Sequence, residues 1–533
     1  MTKLDNQFSR ETVEFLEIRE LINRIEPSSF YGKSYFKNPT VFVHGDESDL
    51  KSHFDKLKIL SDFMLAHDSD KLKRSLRELK NIRTSIKKIA GDELPNVVDY
   101  FEIKRFCYFY RRLYDLLNNS EMGKGLVELY AFKEIEEIWH LLDPKDTRQF
   151  FFSIDSDYAD ELGSELEKYR SLDKEVFLKI SERLQKLYEL PVSNRTEFVL
   201  QRSDLRNQGL RNCDNVLVQG ETAFSISYRI VRSDRDPSYA AEIERIEVEL
   251  AKEDIRYRTR LKQWLSIHLD TFSRIIEIVT EFDKDVAMAE FGIRYKCCYP
   301  EIYEGEIQLS LLNGRNTEIE EFCCKNGFEY DQINIDLKSG STIITGANMG
   351  GKTSALKTIG QIYVQCAIGL PITADCLTTS LFNGINCVYR TSEEEGLSGF
   401  AMEVMRIRTI FSDELTINLI DEFGSATNPR EGSALASAAV NIMDDKKAIS
   451  IFVTHFSSPL EFGSVNYQTG FLKSDFSDAI NAENIYRYID HHLEKIEKTE
   501  IPKAAIQISR ALGLPSEVVT AAEGIYEDYY RET

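Results

Sequence analysis

Long apolar runs are missing from this 533-residue chain. No stretch approaches the roughly 18 apolar residues of a membrane-spanning helix. Charges interrupt the opening MTKLDNQFSRETVEF, where a secretory leader would need an apolar core. Cysteine is scarce and odd in number, nine in all, without disulfide-like spacing. That excludes a stapled secreted fold and fits a reducing, cytoplasmic setting. The adjacent pairs Cys297-Cys298 and Cys323-Cys324 have no CxxC or nearby His to complete a metal set, and neighbours on a strand face opposite ways, so they read as ordinary half-buried thiols. Tandem repeats and low-complexity tracts are absent. Positive charge is short in one region: the net charge is -22, with 48 Lys+Arg against 54 Asp+Glu in residues 1–300 but 18 against 34 in 301–533. An acidic surface repels phosphate backbones, so the C-terminal part is a poor candidate for tracking nucleic acid.

The length exceeds what one hydrophobic core supports, which predicts two or three domains. Residues 1–190 read as helix after helix, with apolar positions three and four apart, as in TVEFLEIRELINRI. Leu190-Pro191 ends that pattern. TEFVLQRSD and NVLVQGETAFSISYRIV then show the alternation and β-branched or aromatic content of strands, a small β-insert. After Asp236-Pro237 a highly charged stretch of about 50 residues keeps helical periodicity without an internal Pro or Gly, far beyond ordinary helix length and suited to a lever broken at most once. From about residue 291 apolar strands ending in polar loops alternate with helices, the pattern of a parallel α/β sheet.

Two of those strand ends carry chemistry. Gly346-Ala-Asn-Met-Gly-Gly-Lys352-Thr353 matches G-x-x-x-x-G-K-[ST] and lies between the strand STIIT and the helix SALKTIGQIYVQ, as a phosphate loop requires. Its glycines let backbone N–H groups curl around phosphate oxygens. Lys352 then reaches the β- and γ-phosphates, and Thr353 offers a hydroxyl to Mg²⁺. Some 70 residues on, TINLIDEFG delivers Asp421 and Glu422 side by side, Asp421 for Mg²⁺ through water and Glu422 as general base for an attacking water. Adjacent acids after an apolar strand also serve as helix caps; the upstream loop favours the catalytic reading. His455 follows a third apolar strand, SIFVTHF, where it can sense a γ-phosphate or simply end the strand.

GANMGGKT, IDEFGSATNPREGSALA and VTHF, in this order and spacing, resemble the ATPase domain of the MutS family within the ABC class. LLNGRNTEIE, LSGFAMEV and IPKAAIQISRALGLPSEVV look like its flanking segments. The likeness covers about 290–525. It implies that Gly346, Asn348, Gly350, Gly351, Lys352 and Thr353 hold ATP and Mg²⁺, that Asp421 and Glu422 act in hydrolysis, and that His455 is a γ-phosphate switch. Residues 398–403 resemble the loop between the two motifs. Residues 424–432, GSATNPREG, fall on the loop that completes a neighbouring subunit's site, which implies a homodimer or a heterodimer with a related subunit. Asn428 and Pro429 there follow the short bacterial paralogues, not the serine-threonine form of mismatch-repair MutS.

The expected fold is therefore α + α/β: a helical core and lever (1–190), a small clamp-like β-insert (191–235), a long lever helix (236–290) and a P-loop ABC-type ATPase domain with a C-terminal helical dimerisation segment (291–533). The mismatch-reading and Smr domains are expected to be missing, and the insert replaces the glycine- and serine-rich clamp segment of those paralogues. DNA, if bound, would meet the basic run Lys71, Lys73, Arg74, Arg77, Lys80, Arg83, Lys87 and Lys88, several of which fall on one face at helical spacing, or a diluted set, Arg202, Arg206, Arg211, Arg229, Arg232 and Arg235. Two functions follow from the resemblance: an ATP-driven clamp on DNA structures, or an ATP-driven remodeller of a protein client, like the MutS-like ATPase of the reactivating factor for the cobalamin enzyme lysine 5,6-aminomutase.

Overall fold

A computed structural model describes residues 8–145, 157–190, 197–231, 238–347, 350–390, 399–411, 413–472, 489–497 and 504–531. The chain forms two compact units, each assembled from segments that are not contiguous in sequence. One gathers Met1–Leu79, Arg112–Lys133 and Ile275–Thr533; the other holds Lys80–Arg111 and Glu134–Arg274. Among the described residues no helix is long and apolar enough to cross a membrane.

The first unit is built on a six-stranded sheet. Its strands and main helices are β1 (Gly340–Gly346), α1 (Lys352–Ala367), β2 (Gly384–Val388), α2 (Gly399–Ile410), β3 (Thr416–Asp421), α3 (Pro429–Asp444), β4 (Ile449–Val453), β5 (Val465–Thr469) and β6 (Glu494–Ile496). The order is β6-β5-β1-β4-β3-β2, parallel throughout except for β6 at the edge. Parallel strands are covered on both faces and so lose the apolar–polar alternation of a half-solvated strand. On β1, Ile344 joins the cluster beneath α1 (Leu356, Ile359, Tyr363), and its neighbour Ile343 points the other way into a cluster with Val440 and Met443 of α3.

The first of these clusters also contains Phe8, Val13, Phe15, Leu16 and Ile18. Gln361 Nε2 donates to the Leu16 carbonyl at 2.9 Å, and the Lys357 ammonium meets Glu17 at 2.6 Å. The opening helices thus belong to the core of the C-terminal sheet. Periodicity along the chain shows that a helix has an apolar stripe, not what the stripe meets. A second sheet, mostly antiparallel, runs Glu301–Ile302, Cys376–Thr379, Gln308–Gly314, Ile333–Lys338.

In the second unit, the insert is a three-stranded antiparallel sheet, Glu197–Gln201, Ser225–Ile230 and Val216–Glu221 in that order across it. Phe198, Leu200, Ile226, Tyr228 and Ile230 alternate inward onto Leu184, Leu190 and Leu210. The long charged segment is two helices, Ser238–Ser266 and Leu269–Arg294, interrupted at Ile267 and His268.

Two expectations need correction. The run 71–88 is not one helical face: Ser69–Glu78 ends in the first unit, Arg83–Ala90 begins in the second, and residues 79–82 are not helical. Leu79 and Ile82 are buried, so apolar anchoring of the connection outweighs continued helix. Cys323-Cys324 sit on the helix Thr317–Asn326, not on a strand, and are free thiols.

Candidate functional site

The carboxyl ends of β1, β3, β4 and β5 come together by register: Asp421 lies opposite Val453, Val453 opposite Ile344, and Gly346 opposite Thr469. In an open parallel sheet this edge is where ligands bind. The loop after β1 is packed against the backbone there. Gly346 has φ +141°, and a Cβ on it would stand 2.0 Å from the Thr469 carbonyl oxygen. A Cβ on Gly350 would meet Gly470 Cα at 2.8 Å. Neither position admits a side chain. Gly351, at φ +87°, starts α1. Asn348 lies outside the described residues, as do Ser398 among the residues expected between the two motifs and Arg232 and Arg235 in the diluted basic set.

Lys352 is buried, and its ammonium donates to the carbonyls of Gly346 and Ala347, both at 3.0 Å. Burial lowers its pKa, opposed by the carboxylates of Glu422 and Asp421. Thr353 Oγ1 donates to Asp421 Oδ2 at 2.9 Å. Asp421 Oδ1 is buried without a hydrogen-bond partner. Burial raises the Asp421 pKa, partly offset by the Thr353 hydroxyl. A buried carboxylate oxygen left unpaired is costly unless something cationic meets it. The donor set, a hydroxyl and a carboxylate oxygen beside a helix N-terminus, suits a hard divalent cation and an anion together.

Glu422 adopts φ +54°, a left-handed conformation that costs a non-glycine residue on the order of 1–3 kcal/mol and persists only where the surroundings over-determine it. Its N–H donates to the Val453 carbonyl at 2.9 Å, and its own carbonyl accepts from Ser425 N–H at 3.1 Å. His455 Nδ1 stands 3.9 Å from Glu422 Oε1, and its ring lies beside Phe456. The structure thus brings Gly346, Gly350, Gly351, Lys352, Thr353, Asp421, Glu422 and His455 to one edge. Asn428 stands elsewhere on the loop, exposed, as the N-cap of α3, with its side chain accepting from Arg430 N–H at 2.9 Å.

Thr469 went unread in the sequence. Its hydroxyl bonds the carbonyls of Gly350 at 2.8 Å and His491 at 3.0 Å, fastening the glycine loop to β5. No motif marks it, because a threonine at a strand end is common. Among the described residues, Asp331, Asp490 and His492 offer ligand atoms within 4.8 Å of one another. His492 Nδ1 lies 2.6 Å from Asp490 Oδ1 and 3.5 Å from Asp331 Oδ1, so contacts within the trio account for it without an ion.

The basic residues are largely partnered. Lys73 pairs with Glu290 at 2.8 Å, Lys88 with Asp99 at 2.9 Å, Arg206 with Asp204 at 2.6 Å, and Arg211 with Glu221.

Residues 342–529 match the family model described as MutS domain V. Over 89% of its length the chain is 24% identical to an endonuclease MutS2 of Fusobacterium nucleatum, covering 64% of that protein. It is 23% identical over 95% of its length to a DNA mismatch repair protein MutS of the same organism, covering 53%. It is 25% identical over 77% of its length to a DNA mismatch repair protein MSH3 of Scheffersomyces stipitis, covering 41%. The chain thus spans less than two thirds of each of these relatives.

Proposed function

The chain belongs to the MutS family, and from that premise we propose that it binds and hydrolyses ATP at the edge formed by β1, β3 and β4. The observation that carries the reading is the Thr353–Asp421 contact, with one Asp421 oxygen buried and unpaired beside a glycine loop closed by Lys352. Gly346, Asn348, Gly350 and Gly351 would cradle the phosphates with Lys352, while Thr353 and Asp421 would hold Mg²⁺, which supplies positive charge against the phosphate oxygens. Glu422 orients and deprotonates the attacking water, and His455 beside it reads the γ-phosphate. Residues 424–432, with Asn428, complete the site of a second subunit, in a homodimer or a heterodimer with a related chain.

The wider role we infer is that of a DNA-associated ATPase, a clamp on DNA structure related to the mismatch-repair relatives but without base readout. One observation favours a second reading, an ATP-driven remodeller of a protein client such as a cobalamin-dependent aminomutase. The cations expected to meet DNA are divided between two units and several are neutralised by carboxylates. Titrating the purified chain with linear and branched DNA at about 150 mM salt, where charges are screened beyond roughly 8 Å, separates the two. Salt-sensitive binding that stimulates ATP turnover supports the clamp; absence of both binding and stimulation rejects it.

A further inference from the structure

The loop that follows Glu422 has a narrow neck. Gly424 has φ +85°, and a Cβ on it would stand 2.7 Å from the Gly432 carbonyl oxygen; a Cβ on Gly432 would stand 2.1 Å from the Gly424 carbonyl oxygen. The two ends of residues 424–432 therefore meet backbone to backbone, and Gly432 N–H closes a further bond to the Asn428 carbonyl at 2.8 Å. On the neck's other side, Gly424 N–H donates to Glu403 Oε2 at 3.1 Å. Glu403 projects from α2 and is 2% exposed, and its second oxygen, Oε1, is buried with no hydrogen-bond partner. A buried carboxyl on an apolar helix is expensive to keep, so its one directed bond needs a reason.

The bond's position supplies that reason. Glu422 sits in a left-handed conformation that its neighbours must hold. Upstream it is held by its own N–H on the Val453 carbonyl. Downstream, two residues on, Glu403 is, among the described residues, the side chain that bonds this backbone. From this geometry we propose that Glu403 is a positioning residue. By gripping the Gly424 N–H it fixes both the direction of the Glu422 carboxylate and the neck of the loop offered to a second subunit. Burial raises the Glu403 pKa, opposed by the Gly424 N–H and Arg390 and reinforced by the nearby Glu422 charge. In either protonation state the carboxyl accepts the Gly424 bond.

The inference rests on Glu422 acting as the hydrolytic base, so Glu422→Gln is the reference in its test. Glu403→Gln keeps an acceptor of the same length and no charge. Glu403→Met fills the same space with no acceptor for an amide, and Glu403→Ala serves if Met does not pack. Steady-state turnover, equilibrium ATP binding and thermal melting are measured on the full chain. The expected result is a turnover loss on the order of 10²-fold for Met or Ala, the scale of a misplaced catalytic group, with ATP affinity and melting temperature retained, and near-complete rescue in Gln. Retained turnover in Met and Ala overturns the proposal, as does a Gln variant as slow as Met, or loss of ATP binding in step with turnover. If Glu422→Gln itself turns over ATP at the parental rate, the assignment of the base fails instead, and the two failures are told apart.

Discussion

The edge around Lys352 and the basic run of residues 71–88 were both read from the sequence, the first from a specific motif and the second from a run of like charges, and the fold treats them oppositely. At the first, residue types and backbone places coincide. Glycines stand where no Cβ fits, the lysine folds back on its loop, and threonine meets aspartate across 68 residues of sequence. At the second, helical spacing suggested a shared face, but the helix stops at Glu78 and another starts at Arg83 in a different unit. Its charges meet partners remote in sequence, such as Glu290 for Lys73. A motif whose chemistry depends on backbone conformation constrains its own surroundings. A run of like charges constrains nothing about what folds against it.

The largest effect is expected for Lys352→Ala. Removing a buried ammonium that the reading places on phosphate oxygens should weaken ATP binding on the order of 10²-fold, measured by calorimetry with Mg²⁺ present. Unchanged affinity would detach the glycine loop from nucleotide. Asp421→Asn comes next. Burial raises the folded-state pKa of Asp421, so its ionised form opposes folding, and stability is lost as pH rises through the window between the unfolded and folded pKa values. At neutral pH the Asn variant should therefore melt no lower than the parent without nucleotide, yet lose the rise in melting temperature that Mg²⁺ and ATP give the parent. A lower melting point without nucleotide would show that the carboxylate is structural.

For the basic run the expected effect is smaller. Reversing Lys73, Arg77 and Lys80 to Glu together should flatten the dependence of log K on log salt by fewer than the roughly three contacts that a shared DNA face would lose, because Lys73 is already held by Glu290. A full loss of three would mean that the run acts as one face in spite of its division. Smallest is Asn428→Ala, which removes the N-cap of α3 and should cost about 1 kcal/mol in denaturant unfolding.

The residues around Lys352 were legible because each sits in a short motif tied to a strand end, and the alternation in TEFVLQRSD and NVLVQGETAFSISYRIV marked strands of the insert without telling what they pack on. What stayed hidden was whatever two distant segments make together. Leu16 packing into the cluster beneath α1, Thr469 holding Gly350, and Glu403 holding Gly424 are pairings that neither periodicity nor motif spacing reports. The break between 266 and 269 in the long charged segment was foreseeable as a possibility, its position not. Asn428 shows a mixed case, since its loop was located from sequence while its role as a helix cap came from the fold.

On the proposed function, one edge of the sheet divides holding ATP, the task of Lys352, from cleaving it, the task of Glu422. The most direct test of that division sets Glu422→Gln beside Lys352→Ala in the same assays of equilibrium ATP binding and steady-state phosphate release. The Gln chain is expected to bind ATP as the parent does and to release phosphate roughly 10²–10⁴-fold more slowly, the usual worth of a general base, while the Ala chain fails at binding. Equal loss of binding in both, or full turnover in the Gln chain, would contradict it.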